Sequence, residues 1–254
     1  MKKALNPVEF SPMSNLKIIS EADSLQETAP YFHLQKEFAE IIDFNSLTIP
    51  FHSQLLDSGF NRAVKRSMDI IISLIVILFF LSWLIPLIAV FIKLNSAGPV
   101  FFLQKRNKRN AELFTCIKFR TMVKNAYADT LPACKNDKRI TAVGRFLRNK
   151  HLDELPQFFN VLWGDMSVVG PRPHMVSDNL KFDELIKNYA GRHKVKPGIT
   201  GLAQVLGYLG PVDDNFKKME DRVNMDVFYT RHWSVKMDIA ILLRTITKAT
   251  GFSS

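Results

Sequence analysis

The chain has 254 residues, enough for one sizeable domain with attachments, and a formal net charge of +10 at pH 7. Its two cysteines, Cys116 and Cys134, stand in no close-set motif, which argues against a disulfide framework or a thiolate zinc site. Residues 1–60 carry a net charge of −4, which leaves +14 on the remainder. A region this basic is expected to bind anions such as nucleic acid, acidic lipid head groups or phosphorylated substrates.

Residues 1–60 are predicted to be an N-terminal extension of unknown role. They mix polar and apolar residues, and prolines recur at positions 7, 12, 30 and 50. Two lysines near the start are not followed by an apolar stretch, so no secretory signal is expected.

Residues 61–95 are predicted to be a membrane helix. The run Ile70–Ile92 is uncharged and strongly apolar, and as a straight helix it is about 34 Å long, enough to cross a hydrocarbon core of about 30 Å. Pro86 removes the helical hydrogen bond to the carbonyl of Ser82, which predicts a break in the helix between Ser82 and Pro86.

Two topologies fit this helix. Both flanks are basic, so the positive-inside tendency does not orient a span. The flanking cations are Arg62, Lys65, Arg66, Lys93, Lys105, Arg106, Lys108 and Arg109. We hypothesise a re-entrant helix that bends near Pro86 and returns to the same face. A plain kinked transmembrane helix is the alternative, and the sequence taken alone favours it.

Residues 96–254 are predicted to form an α+β domain that is rich in helix and contains one small sheet. VFFLQKR (100–106) and ELFTCIKFRTM (112–122) alternate in polarity, which predicts a pair of strands joined at NKRNAE. Helices are predicted in KRITAVGRFLRN (138–149) and MEDRVNMDVFYTRHW (219–233), and short extended pieces in the glycine-punctuated segment 197–211.

The C-terminal segment 233–252 has apolar residues at helical spacing: Val235, Ile239, Leu242, Leu243 and Ile246. A helix that packs on the core is the favoured interpretation. An amphipathic helix that lies in the membrane interface is the alternative.

The segment LDELPQFFNVLWGD contains an acidic pair, Asp153 and Glu154, at the predicted start of a helix. Asp153 is a good N-cap residue and Pro156 is tolerated in a first turn. The simplest interpretation is therefore structural: Asp153 caps the helix and Glu154 complements its dipole.

The surrounding cations favour a second interpretation, a phosphoryl-transfer site. Arg145, Arg148 and Lys150 precede the pair, Arg172 follows it in GPRP, and Lys118 and Arg120 lie in KFRTM. A carboxylate can act as a nucleophile on phosphorus, while arginines and a divalent metal neutralise the charge that spreads in the transition state. Magnesium held by carboxylates and substrate phosphates is the expected cofactor.

The motifs resemble those of the bacterial sugar transferases, the monotopic polyprenol-phosphate phosphoglycosyl transferases. They run in order from about Lys65 to the end of the chain: KFRTM, the long stretch from GRFLRNKHLDELPQ to GPRP, VKPGITGLAQVLG and WSVKMDIAILLRT. The resemblance implies that a phosphosugar moves from a UDP-sugar to polyprenol (undecaprenyl) phosphate with release of UMP. Such a reaction starts the assembly of exopolysaccharide, capsule, O-antigen or glycoprotein glycans.

By this resemblance, Asp153 is the nucleophile that forms a covalent aspartyl-phosphosugar, and Glu154 supports metal binding or proton movement. Lys118, Arg120, Arg148 and Arg172 are assigned to substrate phosphate, and Asp153 and Glu154 to Mg²⁺. The resemblance also implies a re-entrant helix in the bacterial inner membrane with the catalytic domain on the cytoplasmic face. It leaves downstream glycosyltransferases and a second copy of the chain open as partners.

The chain departs from the family pattern at three places. His151 stands where relatives commonly have a small hydroxyl residue, and Ile85 precedes Pro86 where they often have serine. The sequence GYLGP follows AQV where a Gly-Arg pair is common.

Two other classes of function compete with the enzyme. A non-catalytic scaffold or regulator could bind anionic lipid through the basic region, but it needs no acidic pair and no rigid Pro-Arg-Pro. Nucleic-acid binding is not expected, because the basic residues lie beside a membrane helix and no helix-turn-helix or zinc pattern is visible.

Overall fold

The computed structural model describes residue 56 and residues 58–125, 131, 133–134, 137–208 and 216–250. Almost all of the predicted N-terminal extension, residues 1–60, lies outside the described residues. The α-helices are α1 Gly59–Val76, α2 Ser82–Asn95, α3 Ala142–Asn149, α4 Gln157–Trp163, α5 Val176–Leu185, α6 Leu202–Val205, α7 Phe216–His232 and α8 Val235–Thr250. The strands are β1 Phe101–Asn107, β2 Leu113–Phe119, β3 Ser167–Val169 and β4 Gly198–Thr200.

The predicted membrane helix is one continuous helix of 37 residues, Gly59–Asn95, which is long and apolar enough to cross a membrane. Its two α-helical parts, α1 and α2, are joined by a π-helical segment, Ile77–Leu81. Ser82 Oγ donates a hydrogen bond to the Leu78 carbonyl at 2.7 Å, and Pro86 lies inside α2. The irregular backbone therefore begins about two turns before Pro86, at a place that the sequence does not mark.

The two ends of this helix pack against the rest of the domain, and most of the large apolar side chains in its middle are exposed, although Leu81 is buried. The buried residues of α1 are polar: Lys65, Asp69 and Ser73. In α2 the buried residues are Ile88 and Ile92, which join Phe119 and Leu147 in a hydrophobic cluster. The exposed large apolar side chains between them are Leu74, Ile75, Leu78, Phe79, Phe80, Trp83 and Leu87.

The described residues contain two small sheets. β1 and β2 pair antiparallel from Phe101 opposite Phe119 to Asn107 opposite Leu113, as the sequence predicts. β3 and β4 form a second, parallel pair, so the prediction of a single sheet is wrong. The sequence gives little sign of this second sheet, because each strand is three residues long and the partners are 31 positions apart.

α8 buries one face, as the favoured interpretation of the C-terminal segment predicts. Met237, Asp238 and Ile241 are buried, whereas Ile239, Leu243 and Ile246 are exposed. The helix therefore packs on the core with one face and presents a second apolar face outward. This outward face contains Ile239, Leu243 and Ile246, which are three of the five apolar residues whose helical spacing predicts packing on the core.

Gly144 allows α3 to lie directly on the chain that follows β2. A Cβ atom at this position would lie 2.0 Å from the carbonyl oxygen of Thr121, far inside van der Waals contact. The side chain of Thr141 accepts a hydrogen bond from Gly144 N and caps the helix. α3 carries Arg148, so this close packing determines where that side chain begins.

We expect Gly144→Ala to lower the free energy of unfolding by about 2 kcal/mol, because backbone must move to admit the methyl group. Gly59→Ala is the matched control: nothing lies within 4 Å of its Cβ position, and alanine improves helix propensity there. Thermal unfolding in detergent measures both variants. Equal melting temperatures for the two would contradict the close packing.

Candidate active site

The acidic pair lies in a tight 3₁₀ turn, Leu152–Glu154, that precedes α4. His151 opens the turn in the left-handed conformation, with φ of 54°, and Pro156 stands immediately before α4. The prediction that Asp153 is the N-cap of a helix is wrong, because the left-handed residue starts a separate turn and the helix begins at Gln157. Asp153 is thereby available for another role.

Glu154 is buried and fully paired. Its Oε1 accepts hydrogen bonds from Lys118 Nζ at 2.8 Å and from Arg172 Nη2 at 2.6 Å, and its Oε2 accepts one from Arg172 Nη1 at 2.8 Å. Burial alone raises the pKa of Glu154, but Arg172 and Lys118 outweigh it and hold that pKa well below the ordinary value. Glu154 is therefore a permanent carboxylate near neutral pH.

Asp153 has the opposite environment. It is half-buried in the wall of a cavity, and it has no hydrogen bond or ion pair among the residues that the structure describes. Burial raises the pKa of Asp153, and the neighbouring Glu154 carboxylate raises it further, against the lowering effects of Lys118, Arg148 and Arg172. Two adjacent carboxyl groups thus differ in both partners and pKa.

The cavity beside Asp153 has a volume of about 1150 Å³. All of the sequence-predicted phosphate-binding residues line it, namely Lys118, Arg120, Arg148 and Arg172. Arg148 donates from Nε to Thr121 Oγ1 at 2.7 Å, so one edge of its guanidinium is fixed. This arrangement concentrates positive charge around the unpaired carboxylate of Asp153.

Arg120 differs from the other three cations. It is 7% exposed, and its guanidinium donates to the carbonyl of Ser96 at 2.7 Å and to the carbonyl of Ala97. These carbonyls follow the end of α2. Arg120 thus ties the membrane helix to β2, a contact that the sequence does not reveal.

Arg192 and Asp226 hold the backbone of Arg172 in place through hydrogen bonds, and the sequence motifs single out neither of them. Arg192 Nη2 donates to the Arg172 carbonyl at 2.6 Å and to Asp226 Oδ2 at 2.7 Å. Both members of this ion pair are almost wholly buried. No local sequence pattern links Arg172, Arg192 and Asp226, because the three residues are far apart along the chain.

Asn160 supports the acidic pair in a similar way. Its Oδ1 accepts a hydrogen bond from Ile117 N at 3.0 Å, and its Nδ2 donates to the Thr115 carbonyl at 2.8 Å. The side chain therefore joins α4 to β2, the strand that carries Lys118. This link helps to set the distance between Lys118 and Glu154.

The donor set suits a metal that arrives with its substrate. Within the described ranges, no group of three or more His, Cys, Asp or Glu side chains could hold an ion. Among these same described residues the Asp153 carboxylate has no partner, whereas three protein hydrogen bonds occupy Glu154. Mg²⁺ commonly takes one or two carboxylates and completes its shell with substrate phosphates and water, and these residues fit that pattern.

The family model for bacterial sugar transferases matches residues 60–251. The chain belongs to this family. It is 48% identical over 192 residues to UDP-glucose:undecaprenyl-phosphate glucose-1-phosphate transferase of Klebsiella pneumoniae, over 75% of this chain and 41% of that protein. It is 43% identical over 203 residues to UDP-N-acetylgalactosamine-undecaprenyl-phosphate N-acetylgalactosaminephosphotransferase of Aeromonas hydrophila, over 79% of this chain and 47% of the relative.

A third relative is short. The exopolysaccharide production protein PSS of Rhizobium leguminosarum bv. phaseoli is 39% identical over 198 residues, which cover 74% of this chain and 98% of that protein. By contrast, the chain spans less than half the length of the Klebsiella and Aeromonas relatives. The matched region contains the acidic pair and every cation assigned to phosphate.

Changing the two carboxyl groups should affect the stability of the chain differently. We expect Glu154→Gln to lower the free energy of unfolding by about 2–4 kcal/mol, because it leaves Lys118 and Arg172 without their shared anion. Asp153→Asn should leave stability unchanged or raise it, because it removes an unpaired, partly desolvated charge. Thermal unfolding at pH 7 measures both, and equal losses would contradict the assignment.

The pH dependence of stability supplies a second check. The pKa of Glu154 is lowered on folding, so the stabilisation by its ion pairs is complete above the unfolded value of 4.5 and is lost as pH falls through the folded value. The pKa of Asp153 is raised from 3.8, so ionising Asp153 reduces stability as pH rises through the folded value. The deficit of Glu154→Gln should therefore shrink in acid.

Proposed function

We propose that the chain transfers a phosphosugar from a UDP-sugar to undecaprenyl phosphate and releases UMP. The observation that carries the proposal is the Asp153 carboxylate, which has no partner within the described part of the chain, in a cavity that Lys118, Arg148 and Arg172 also line. The names of the relatives support the reaction. Because those relatives are named for different sugars, the donor is proposed only as a UDP-sugar. A lipid-binding scaffold would explain the basic charge but not this carboxylate.

The proposed chemistry has two displacements at one phosphorus. An Asp153 oxygen attacks the phosphorus that bears the sugar, and the bond from that phosphorus to the bridging oxygen breaks, so UMP leaves with the electron pair. An oxygen of undecaprenyl phosphate then attacks the same phosphorus. The bond to Asp153 breaks, and the carboxylate is restored. The raised pKa of Asp153 makes its carboxylate more basic and hence a better nucleophile.

Glu154 is proposed to hold charge and not to carry a proton. Its lowered pKa makes it a poor proton acceptor near neutral pH, and its bonds to Arg172 and Lys118 hold both cations beside the reacting phosphate. Mg²⁺, held by Asp153 and the remaining lone pair of Glu154 together with substrate phosphates, would neutralise charge on the diphosphate.

A re-entrant membrane helix is proposed together with this reaction. Lys65 and Asp69 of α1 bond to β3, and Ile88 and Ile92 of α2 pack on Phe119 and Leu147 of the same domain. Leu84 and Ile85 pack against the same cluster, so residues 74–83 lie between the two sets of contacts, and as a helix they measure about 15 Å, less than a hydrocarbon core of about 30 Å. Both ends then face the same side of the membrane, the cytoplasmic side if UDP-sugars are the donors.

The covalent step predicts an adduct on Asp153. Incubation with a UDP-sugar and Mg²⁺, but without lipid, should release up to one UMP per protein and add the mass of one phosphosugar to the peptide that contains Asp153. Asp153→Asn should show neither signal and should reduce turnover by about 10³-fold or more, while its thermal unfolding stays unchanged. Near-normal turnover by this variant would overturn the mechanism.

The topology predicts where single cysteines react in intact cells, on a background in which Cys116 and Cys134 are replaced. Cysteines placed at Ser58 and Ser96, which lie at the two ends of the helix, should both resist a membrane-impermeant maleimide until the inner membrane is permeabilised. Labelling of one end in cells whose inner membrane is intact would show a spanning helix.

A further inference from the structure

The cavity at Asp153 has two kinds of wall. Cations from β2, α3 and the GPRP loop line the part around the reacting carboxylate. The remaining wall includes apolar side chains of the membrane helix, Ile72 and Val76, and of the C-terminal helix, Ile246 and Leu242. A phosphate ester of a hydrocarbon matches both kinds of wall, whereas a UDP-sugar matches only the first.

The two helices that form the apolar wall are joined by a buried ion pair. Lys65 Nζ of α1 lies 2.7 Å from Asp238 Oδ2 of α8. Ile72 and Val76 follow Lys65 by seven and eleven positions, so they share its face of the helix. Leu242 and Ile246 follow Asp238 by four and eight positions and share that face. On each helix, the face that carries a member of the ion pair therefore also carries, one to three turns further along, the apolar side chains that line the cavity.

The neighbours of these wall residues point away from the cavity. Ile75 is 47% exposed and Leu243 is 60% exposed, and neither lines the cavity. Apolar surface that a bilayer can cover thus adjoins the apolar wall on both helices. A lipid can pass from such a surface into the cavity without leaving an apolar environment.

We propose that the prenyl chain of the acceptor lies between α1 and α8, against Ile72, Val76, Leu242 and Ile246, with its phosphate directed to Asp153. This inference rests on the proposed function and locates its lipid substrate. The Lys118, Arg148 and Arg172 side chains supply the charge that the acceptor phosphate needs. Ile72, Val76, Leu242 and Ile246 offer a hydrocarbon an apolar contact with no charge to desolvate, and Lys248, near the end of α8, also lines the cavity. The acyl chain of an ordinary phospholipid is the competing occupant.

The test separates the two half-reactions. Val76→Trp and Leu242→Trp fill the proposed chain site from opposite helices, and Ile75→Trp and Leu243→Trp place the same bulk one position away on the exposed faces. UMP released without lipid reports the first step. Loss of the purified aspartyl adduct on addition of undecaprenyl phosphate reports the second step, and it is measured only on protein that has formed the adduct, so misfolded protein does not contribute.

We expect the two cavity variants to form the adduct as wild type does and to discharge it about tenfold more slowly at subsaturating undecaprenyl phosphate. The two control variants should match wild type in both steps. Wild-type discharge by Val76→Trp and Leu242→Trp, or equal slowing by the controls, would overturn the inference and would indicate that phospholipid or bulk membrane contacts this wall. Failure of the wild-type chain to release UMP or form an adduct would instead overturn the proposed function.

Discussion

The ion cluster of Glu154, Lys118 and Arg172 is the interaction on which the site depends. A buried carboxylate is costly unless it is paired and hydrogen-bonded, and here one lysine and one bidentate arginine provide three bonds to its two oxygens. The pairing joins β2, the turn before α4 and the GPRP loop at one point. Because Lys118 and Arg172 both bond to Glu154, neither of them bonds to the adjacent Asp153.

The same cluster explains why two neighbouring acidic residues differ in chemistry. Glu154 points into contact with cations, and its pKa falls, whereas Asp153 faces the cavity, and its pKa rises. A left-handed residue at position 151 turns the chain so that the two side chains take different directions. Left-handed backbone is unfavourable for a residue other than glycine. This local cost is a reason to regard the turn as part of the site and not as a simple helix cap.

The sequence predicts the local parts of this structure well and the long-range parts poorly. The β1–β2 hairpin and the helices around Arg148 and Asp226 follow from patterns within about twenty residues. The family resemblance also selects four of the cations that line the cavity. It does not show that Arg120 turns to the end of α2, nor that β3 pairs with β4. Those contacts join distant segments, and no local pattern of polarity records them.

The buried contacts of α1 connect the apolar helix to the candidate active site. Asp238 accepts hydrogen bonds from Lys65 at 2.7 Å, Trp233 at 3.0 Å and Tyr229 at 2.7 Å, so the ion pair is satisfied on every side. Lys65 also donates to the carbonyl of Val169, the last residue of β3, and the chain reaches Arg172 three residues later. Sliding the membrane helix along its axis would break a buried ion pair, which costs several kcal/mol. The depth of the apolar helix in the bilayer and the position of Arg172 are therefore coupled.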